Sequence, residues 1–460
     1  DLTFQPLIRS TLITLEENEH LFLLTFHHII SDGWSLELLF RELLSSYQSI
    51  LKKLPPKLTP LPVQYADFAI WQREWLQGKR LHEHLVYWRN HLKGAPAMLQ
   101  LPGDFPRPPS PSYHGRRYPV EFSARLTRKL HDLSEREGAT LFMVMVAAFQ
   151  VLLARYTHQF DVVVGTPIAN RSHEELEQVH GFFANTLVLR TDLSGTPTFQ
   201  EVVRRVRDVC LGAYAHQDIP FEQLVEDLQP ERDLSRNPLF QVMFQLYTPH
   251  DPGITVPGLS VNRHILDSGT AKFDLLFSLG DRGAGLSGGI EYSTDLFEEA
   301  TIRRLLGHYQ RLLEEIVTDP ASRIDRIPFL TPAEETQLVV EWNDTEADFP
   351  KASCLHELVE RQAQLTPDSI AAVFGEQAIT YSQLIRQANA LAGHLRNLGV
   401  GPDSPVGVCV ERSIAMLVAV LAVLRAGGAY VPLDPSYPQS RLTYMLADAR
   451  IRVMVTQRRF

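Results

Sequence analysis

The residue types best suited to proton chemistry stand together at His27-His28-Ile29-Ile30-Ser31-Asp32-Gly33-Trp34-Ser35. An imidazole takes or shares a proton near neutral pH, because its free pKa is about 6.5. Asp32, four residues beyond His28, can hold the loop by ion pairing or by backbone hydrogen bonds. Gly33 permits a backbone conformation or a close approach that a side chain would block. Spacing alone leaves two readings open: a proton-handling pair, or two structural histidines at a strand end. A zinc site is disfavoured, since it needs a third ligand at suitable spacing and none is nearby. Neither His173-Glu174 nor His82-Glu83-His84 is followed by the histidine that a zincin helix requires.

These side chains need elements to position them. Two apolar runs, residues 6–15 and 20–27, flank the polar turn Glu16-Glu17-Asn18-Glu19 and predict an antiparallel hairpin. The second run is apolar on both faces and predicts a strand buried on both sides. After Gly33 the period becomes helical, with Leu36, Leu39, Phe40, Leu43 and Leu44 on one face and Ser31 or Asp32 as cap. Residues 54–62 are a proline-rich loop, and 65–93 are aromatic-rich and helical in pattern. The prolines of residues 101–112 prevent regular structure and predict a stiff connection between two lobes. Helical patterns over 124–137, 141–156 and 199–216 mix with strand patterns at 162–165 and 187–191, which is an α+β arrangement. Pro320, Pro328, Pro332 and Pro350 punctuate a boundary over residues 319–353. Beyond it, strands at 371–374, 406–410 and 429–432 alternate with helices at 381–398 and 414–425, predicting βαβ units and a parallel sheet.

A length of 460 residues predicts more than one domain, and 44% hydrophobic with 21% charged residues is the balance of a folded chain. The net charge of −10 argues against nucleic acid as a partner, since phosphate neutralisation needs a basic face. Cys210, Cys354 and Cys409 are scattered and odd in number, so they form neither a disulfide framework nor a metal spacing and fit a reducing cytoplasm. No signal-like run opens the chain. The longest apolar stretch, residues 414–424, falls short of the roughly 20 residues of a membrane span, so no membrane is an expected partner.

Residues 27–33 resemble the H-H-x-x-x-D-G signature of the condensation domains of nonribosomal peptide synthetases. Further stretches agree in order. Tyr65-Ala66-Asp67-Phe68-Ala69-Ile70-Trp71 resembles that family's fourth motif, and His180-Gly181-Phe182-Phe183-Ala184-Asn185-Thr186-Leu187 its fifth. His216-Gln217-Asp218-Ile219-Pro220-Phe221-Glu222 resembles the sixth motif and Arg232-Asp233-Leu234-Ser235-Arg236-Asn237-Pro238-Leu239 the seventh; Leu101-Pro102-Gly103-Asp104 has the family's Leu-Pro-x-Asp form. Further on, Ile379-Thr380-Tyr381-Ser382-Gln383-Leu384 and the stretch from Leu424 to Asp434 resemble the first two core motifs of adenylation domains.

The resemblance implies a mixed α/β fold: two chloramphenicol-acetyltransferase-like lobes, then the first βα units of an ANL-type adenylation domain. It implies a condensation N-lobe remnant over 1–100, a C-lobe over 101–318, a linker over 319–353 and the start of adenylation over 354–460. The implied reaction joins a donor acyl thioester to an acceptor amine, each on the phosphopantetheine arm of an upstream or downstream carrier domain of the synthetase. His28 is implied beside the amine, as general base or as an orienting group, with His27, Asp32 and Gly33 completing the catalytic motif. Asp32 is implied as a structural partner, and Gly33 as keeping the channel floor open. Trp34, Asn185, Arg236 and Asn237 are implied as channel wall or scaffold. This chain is expected to hold no metal and no cofactor, ATP and magnesium belonging to adenylation sequence beyond Phe460. The family's first two motifs are not found before His27, so Asp1 is expected to fall inside the first lobe. A non-catalytic docking or recruitment domain, or an inactive fragment, is the alternative reading.

Overall fold

A computed structural model describes residues 6–56, 58–231, 233–248, 256–262, 267–281 and 285–458. They form two compact units, residues 1–343 and 344–460.

The first unit opens on the expected hairpin. Strands β1 (Ile8–Glu16) and β2 (Glu19–Phe26) pair antiparallel from Ile8 opposite Phe26 to Glu16 opposite Glu19. The expected burial of β2 is not met. The hairpin is a two-stranded sheet of its own, and Leu12 and Phe22 are 63% and 44% exposed. An apolar strand is buried on both faces only where flanking layers cover them, and two strands alone supply none. Helices α1 (Gly33–Leu51), α2 (Tyr65–Trp75) and α3 (Gly78–Leu92) follow.

The chain then builds β3 (Gly115–Phe122), α4 (Ala124–Arg136), α5 (Leu141–Thr157), β4 (Asp161–Ile168), β5 (Asn185–Asp192), α6 (Phe199–Ala215) and α7 (Phe221–Leu228). Strands β6 (Val242–Tyr247), β7 (Leu275–Asp281) and β8 (Leu286–Ser293) and helices α8 (Glu299–Ile316) and α9 (Pro332–Val339) complete the unit. Its six-stranded mixed sheet has the order β3-β8-β7-β6-β4-β5, with β4, β6 and β7 mutually parallel. Helix α5 is apolar all round and almost wholly buried, as a helix enclosed by a core must be. Thr140 caps its start, and His158 ends it in the left-handed region at φ 55°. Rings of Phe149, Phe244, Phe277 and Tyr309 meet at the centre, Phe149 lying 5.4 Å from Phe244 and 5.5 Å from Phe277.

The proline-rich crossing is pinned to this lobe. Asp104 N–H donates to Leu296 O at 2.9 Å, Arg107 grips Asp274 through both terminal nitrogens, and Ser112 N–H and Oγ donate to Asp295 at 2.8 and 2.7 Å. Proline lacks an N–H, so polar side chains share this holding with the few backbone amides available. Ile324 and Ile327 lie in the same core, and Arg155 donates to both their carbonyls at 2.8 and 3.2 Å. The first part of the 319–353 stretch therefore packs with the first unit.

The second unit contains α10 (Leu355–Leu365), β9 (Ile370–Phe374), β10 (Gln377–Thr380), α11 (Tyr381–Asn397), β11 (Pro405–Cys409), α12 (Ile414–Arg425), β12 (Ala429–Pro432), α13 (Gln439–Asp448) and β13 (Val453–Thr456). The parallel sheet has the order β12-β11-β13. The strand expected at 371–374 is not part of it: β9 pairs antiparallel with β10. The intervening Gly375-Glu376, with Gly375 at φ +59°, makes a two-residue turn too short for any crossover. Among the described residues no single helix is long and apolar enough to cross a membrane.

Candidate functional site

The histidines end β2 and enter a short 3-10 turn, His28–Ile30. His27 is spent on structure. Its backbone N–H donates to Leu7 O at 2.9 Å and its Nδ1 accepts from Ile29 N–H at 3.1 Å, capping the turn. His28 is exposed, and its ring meets that of Phe182 edge to face, with centroids 5.0 Å apart at 77°.

Asp32 is 3% exposed and fully engaged. Its Oδ1 accepts from Ser35 N–H at 2.8 Å, capping α1, and its Oδ2 accepts from Phe183 and Ala184 N–H at 3.0 and 3.3 Å. Arg171 Nη2 lies 3.3 Å from Oδ1 and 3.0 Å from Ser35 Oγ. The same guanidinium donates to Leu176 O and, at 2.7 Å, to Val179 O, and lies 4.1 Å from the Phe183 ring. Burial pushes the Arg171 pKa down, against the opposing pull of Asp32. Asp32 thus welds the start of α1 to the 171–184 loop. The weld continues along the helix, where Trp34 Nε1 donates to Glu177 O at 2.8 Å and Glu42 meets His180 at 3.1 Å.

Gly33 departs from the expectation of a special backbone. Its φ is not in the left-handed region, and a Cβ added there would meet nothing within 4 Å. It is the first residue of α1, where ordinary helical angles suffice, and open space lies beside it. The tight glycine is Gly181 instead: an added Cβ would sit 2.2 Å from the Tyr65 ring. Tyr65 packs its ring on Phe183, centroids 5.0 Å apart, and donates its hydroxyl to Phe182 O at 2.8 Å. Burial, then Asp32, raises the Tyr65 pKa, so this phenol stays protonated as a donor.

Asn185 opens β5 and joins two motifs. Its Nδ2 donates to Gln217 O and Ile219 O at 2.8 and 2.7 Å, and its Oδ1 accepts from Phe221 N–H at 3.0 Å. Arg236 pairs with Asp233 at 3.0 Å and Glu231 at 3.6 Å, and Asn237 donates to Lys272 O at 2.7 Å. Both line a cleft of about 1540 Å3 between the end of α3 and residues 222–239, away from the histidine turn. Arg232 lies outside the described residues. The structure therefore brings together His28, Asp32, Trp34, Tyr65, Arg171 and residues 180–185. Arg171 is not legible in the sequence: a buried carboxylate demands a cation, but nothing selects one among 44 lysines and arginines.

Residues 1–339 match the condensation-domain family, and residues 359–460 match the AMP-binding enzyme family. One of the linear gramicidin synthase subunits of Brevibacillus parabrevis is 48% identical over 459 residues, which are 99% of this chain and 9% of that protein. Malpinin synthetase of Mortierella alpina is 46% identical over 100% of this chain and 6% of its own length. This chain thus spans a tenth or less of either relative. The crystal structure of a four-domain nonribosomal peptide synthetase bound to AMP and glycine is 26% identical with a TM-score of 0.80, covering 100% of this chain and 36% of that one. The X-domain from teicoplanin biosynthesis, also solved in complex with OxyB, is 33% identical with a TM-score of 0.65, covering 72% of this chain and 76% of that one. The chain belongs to the condensation-domain family of nonribosomal peptide synthetases, with AMP-binding enzyme sequence following in the same polypeptide.

Proposed function

We propose that this chain forms amide bonds between a donor acyl or peptidyl thioester and an acceptor aminoacyl amine. The acceptor nitrogen attacks the thioester carbonyl carbon, the C–S bond breaks, and the proton lost by nitrogen ends on the departing sulfur. Both substrates arrive on phosphopantetheine arms of carrier domains, and holding two tethered reactants together supplies much of the acceleration. His28 serves as base or as the group that orients the amine and steadies developing charge. The observation that carries this reading is the division of labour in the motif. His27 and Asp32 are consumed by capping and ion pairing, while the His28 ring is exposed. Asn185, Arg236 and Asn237 act as scaffold, and Trp34 ties α1 to the 177 loop. We assign residues 1–100 and 101–318 to the two lobes, 319–353 to the connection and 354–460 to adenylation, in a synthetase working in the cytoplasm.

Likeness to the X-domain solved with OxyB favours one second reading, recruitment of another protein by the same fold. The test is dipeptide formation between two loaded carriers by a synthetase module carrying this segment. His28→Ala is expected to lower product formation at least about a hundredfold, the scale of lost acid–base catalysis. Product at the unmodified rate overturns the catalytic role of His28, and no product from the module with His28 intact leaves recruitment.

A further inference from the structure

Residues 182 and 183 are consecutive phenylalanines with opposite environments. Phe183 is 2% exposed and packs with Phe68, Leu176 and Val179, whereas Phe182 is 38% exposed and belongs to no core cluster. The Phe182 ring is therefore placed by contacts outside that core. The backbone around it is nonetheless held by hydrogen bonds at residues 181, 182 and 183. Gly181 N–H donates to Ser35 Oγ at 3.1 Å and Gly181 O accepts from Ser35 Oγ at 2.9 Å. Phe182 O accepts from Tyr65 Oη at 2.8 Å, and Phe183 N–H donates to Asp32 Oδ2 at 3.0 Å. The Tyr65 ring occupies the space that a side chain at Gly181 would need. The result of this clamping is one contact: the Phe182 ring stands edge to face with the exposed imidazole of His28.

We infer that Phe182 is a positioning residue, which sets the orientation of the His28 imidazole by ring contact. An exposed imidazole on a short turn samples several rotamers, and each orientation lost to the wrong rotamer is lost to reaction. An edge-to-face partner restricts that sampling without taking up either ring nitrogen. The inference rests on the catalytic reading of His28.

Two measurements test it. In the 460-residue chain, the carbon-bound ring protons of His28, assigned by their disappearance in His28→Ala, report the Phe182 ring current by nuclear magnetic resonance. Phe182→Ala and Phe182→Leu are expected to shift these signals with little change in melting temperature, while Phe182→Tyr retains them. In the synthetase module, Phe182→Ala is expected to lower kcat about tenfold with KM for the aminoacyl carrier unchanged, and Phe182→Tyr to restore it. If Phe182→Ala fails to fold, Phe182→Leu carries both readouts. Unmoved His28 signals, or full kcat in Phe182→Leu while His28→Ala is inactive, overturn the positioning role alone. An active His28→Ala overturns the catalytic reading instead.

Discussion

Asp32 lies four positions beyond His28, and burial separates their duties. A carboxylate that caps a helix, takes two further N–H donors and pairs with a guanidinium has no lone pair or freedom left for proton traffic. Its removal leaves Arg171 buried without its counter-charge. Asp32→Ala is therefore expected to destabilise the first unit by about 3 kcal/mol, read as a lowered urea midpoint; an unchanged midpoint contradicts the weld. The cysteines give a second residue-scale test. Burial pushes the Cys210 thiol up to about 12, Cys409 is also buried, and Cys354 is exposed at the start of α10. A thiol reagent at pH 8 is expected to label Cys354 first in the folded chain and Cys210 only after denaturation, because the thiolate is the reactive form. The cap at Asp32 is legible from its place before a helical pattern, but its cation and the two amides of 183 and 184 come from more than 130 residues away.

Helix α9 is held by a relay that spans three elements. Tyr156 Oη on α5 lies 2.6 Å from His308 Nδ1 on α8, and His308 Nε2 lies 2.9 Å from Glu334 Oε2 on α9. Thr331 and Glu334 close a capping box at the start of α9, and the Phe329 ring stands edge-on to His308 under the guanidinium of Arg155. Burial alone raises the Glu334 pKa, but hydrogen bonds from Thr331 and His308 outweigh it and hold the carboxyl below its ordinary value. A depressed folded-state pKa contributes stability that is present above the ordinary glutamate value, roughly 4.3, and is lost as pH falls below it through the lower folded-state value. Amide exchange over residues 331–339 is thus expected to accelerate on acidification below that range, and Glu334→Gln to flatten this dependence. Exchange that ignores pH after correction for intrinsic rates refutes the relay. Periodicity reveals that α5 is a helix; only packing puts His308 opposite Glu334. At β9 the local signal misleads: a strand followed by a helix suggests a crossover, but the two-residue turn at Gly375 makes a hairpin first.

Among the described residues the largest cores are one built around α5 and the six-stranded sheet and another around β11, α11 and α12, beside the small cluster of Phe68, Leu176, Val179 and Phe183. Residues 344–350 are exposed and lie outside helix and strand. Glutamyl endopeptidase is expected to cut first near Glu346, releasing two fragments that resist further digestion, and calorimetry to show two transitions. A first cut inside either core refutes that division. The sequence by itself determined the class of the molecule, because ordered motifs, helix caps and apolar periods are local properties written in consecutive residues. It also placed His28 at the end of a strand and a cap at Ser31 or Asp32. Tertiary structure decided the rest: which cation meets Asp32, which phenylalanine faces His28, which strand faces stay uncovered, and where the 319–353 stretch stops being core. Each of these depends on which distant segments come into contact, and a contact across a hundred residues leaves no local period or spacing to read.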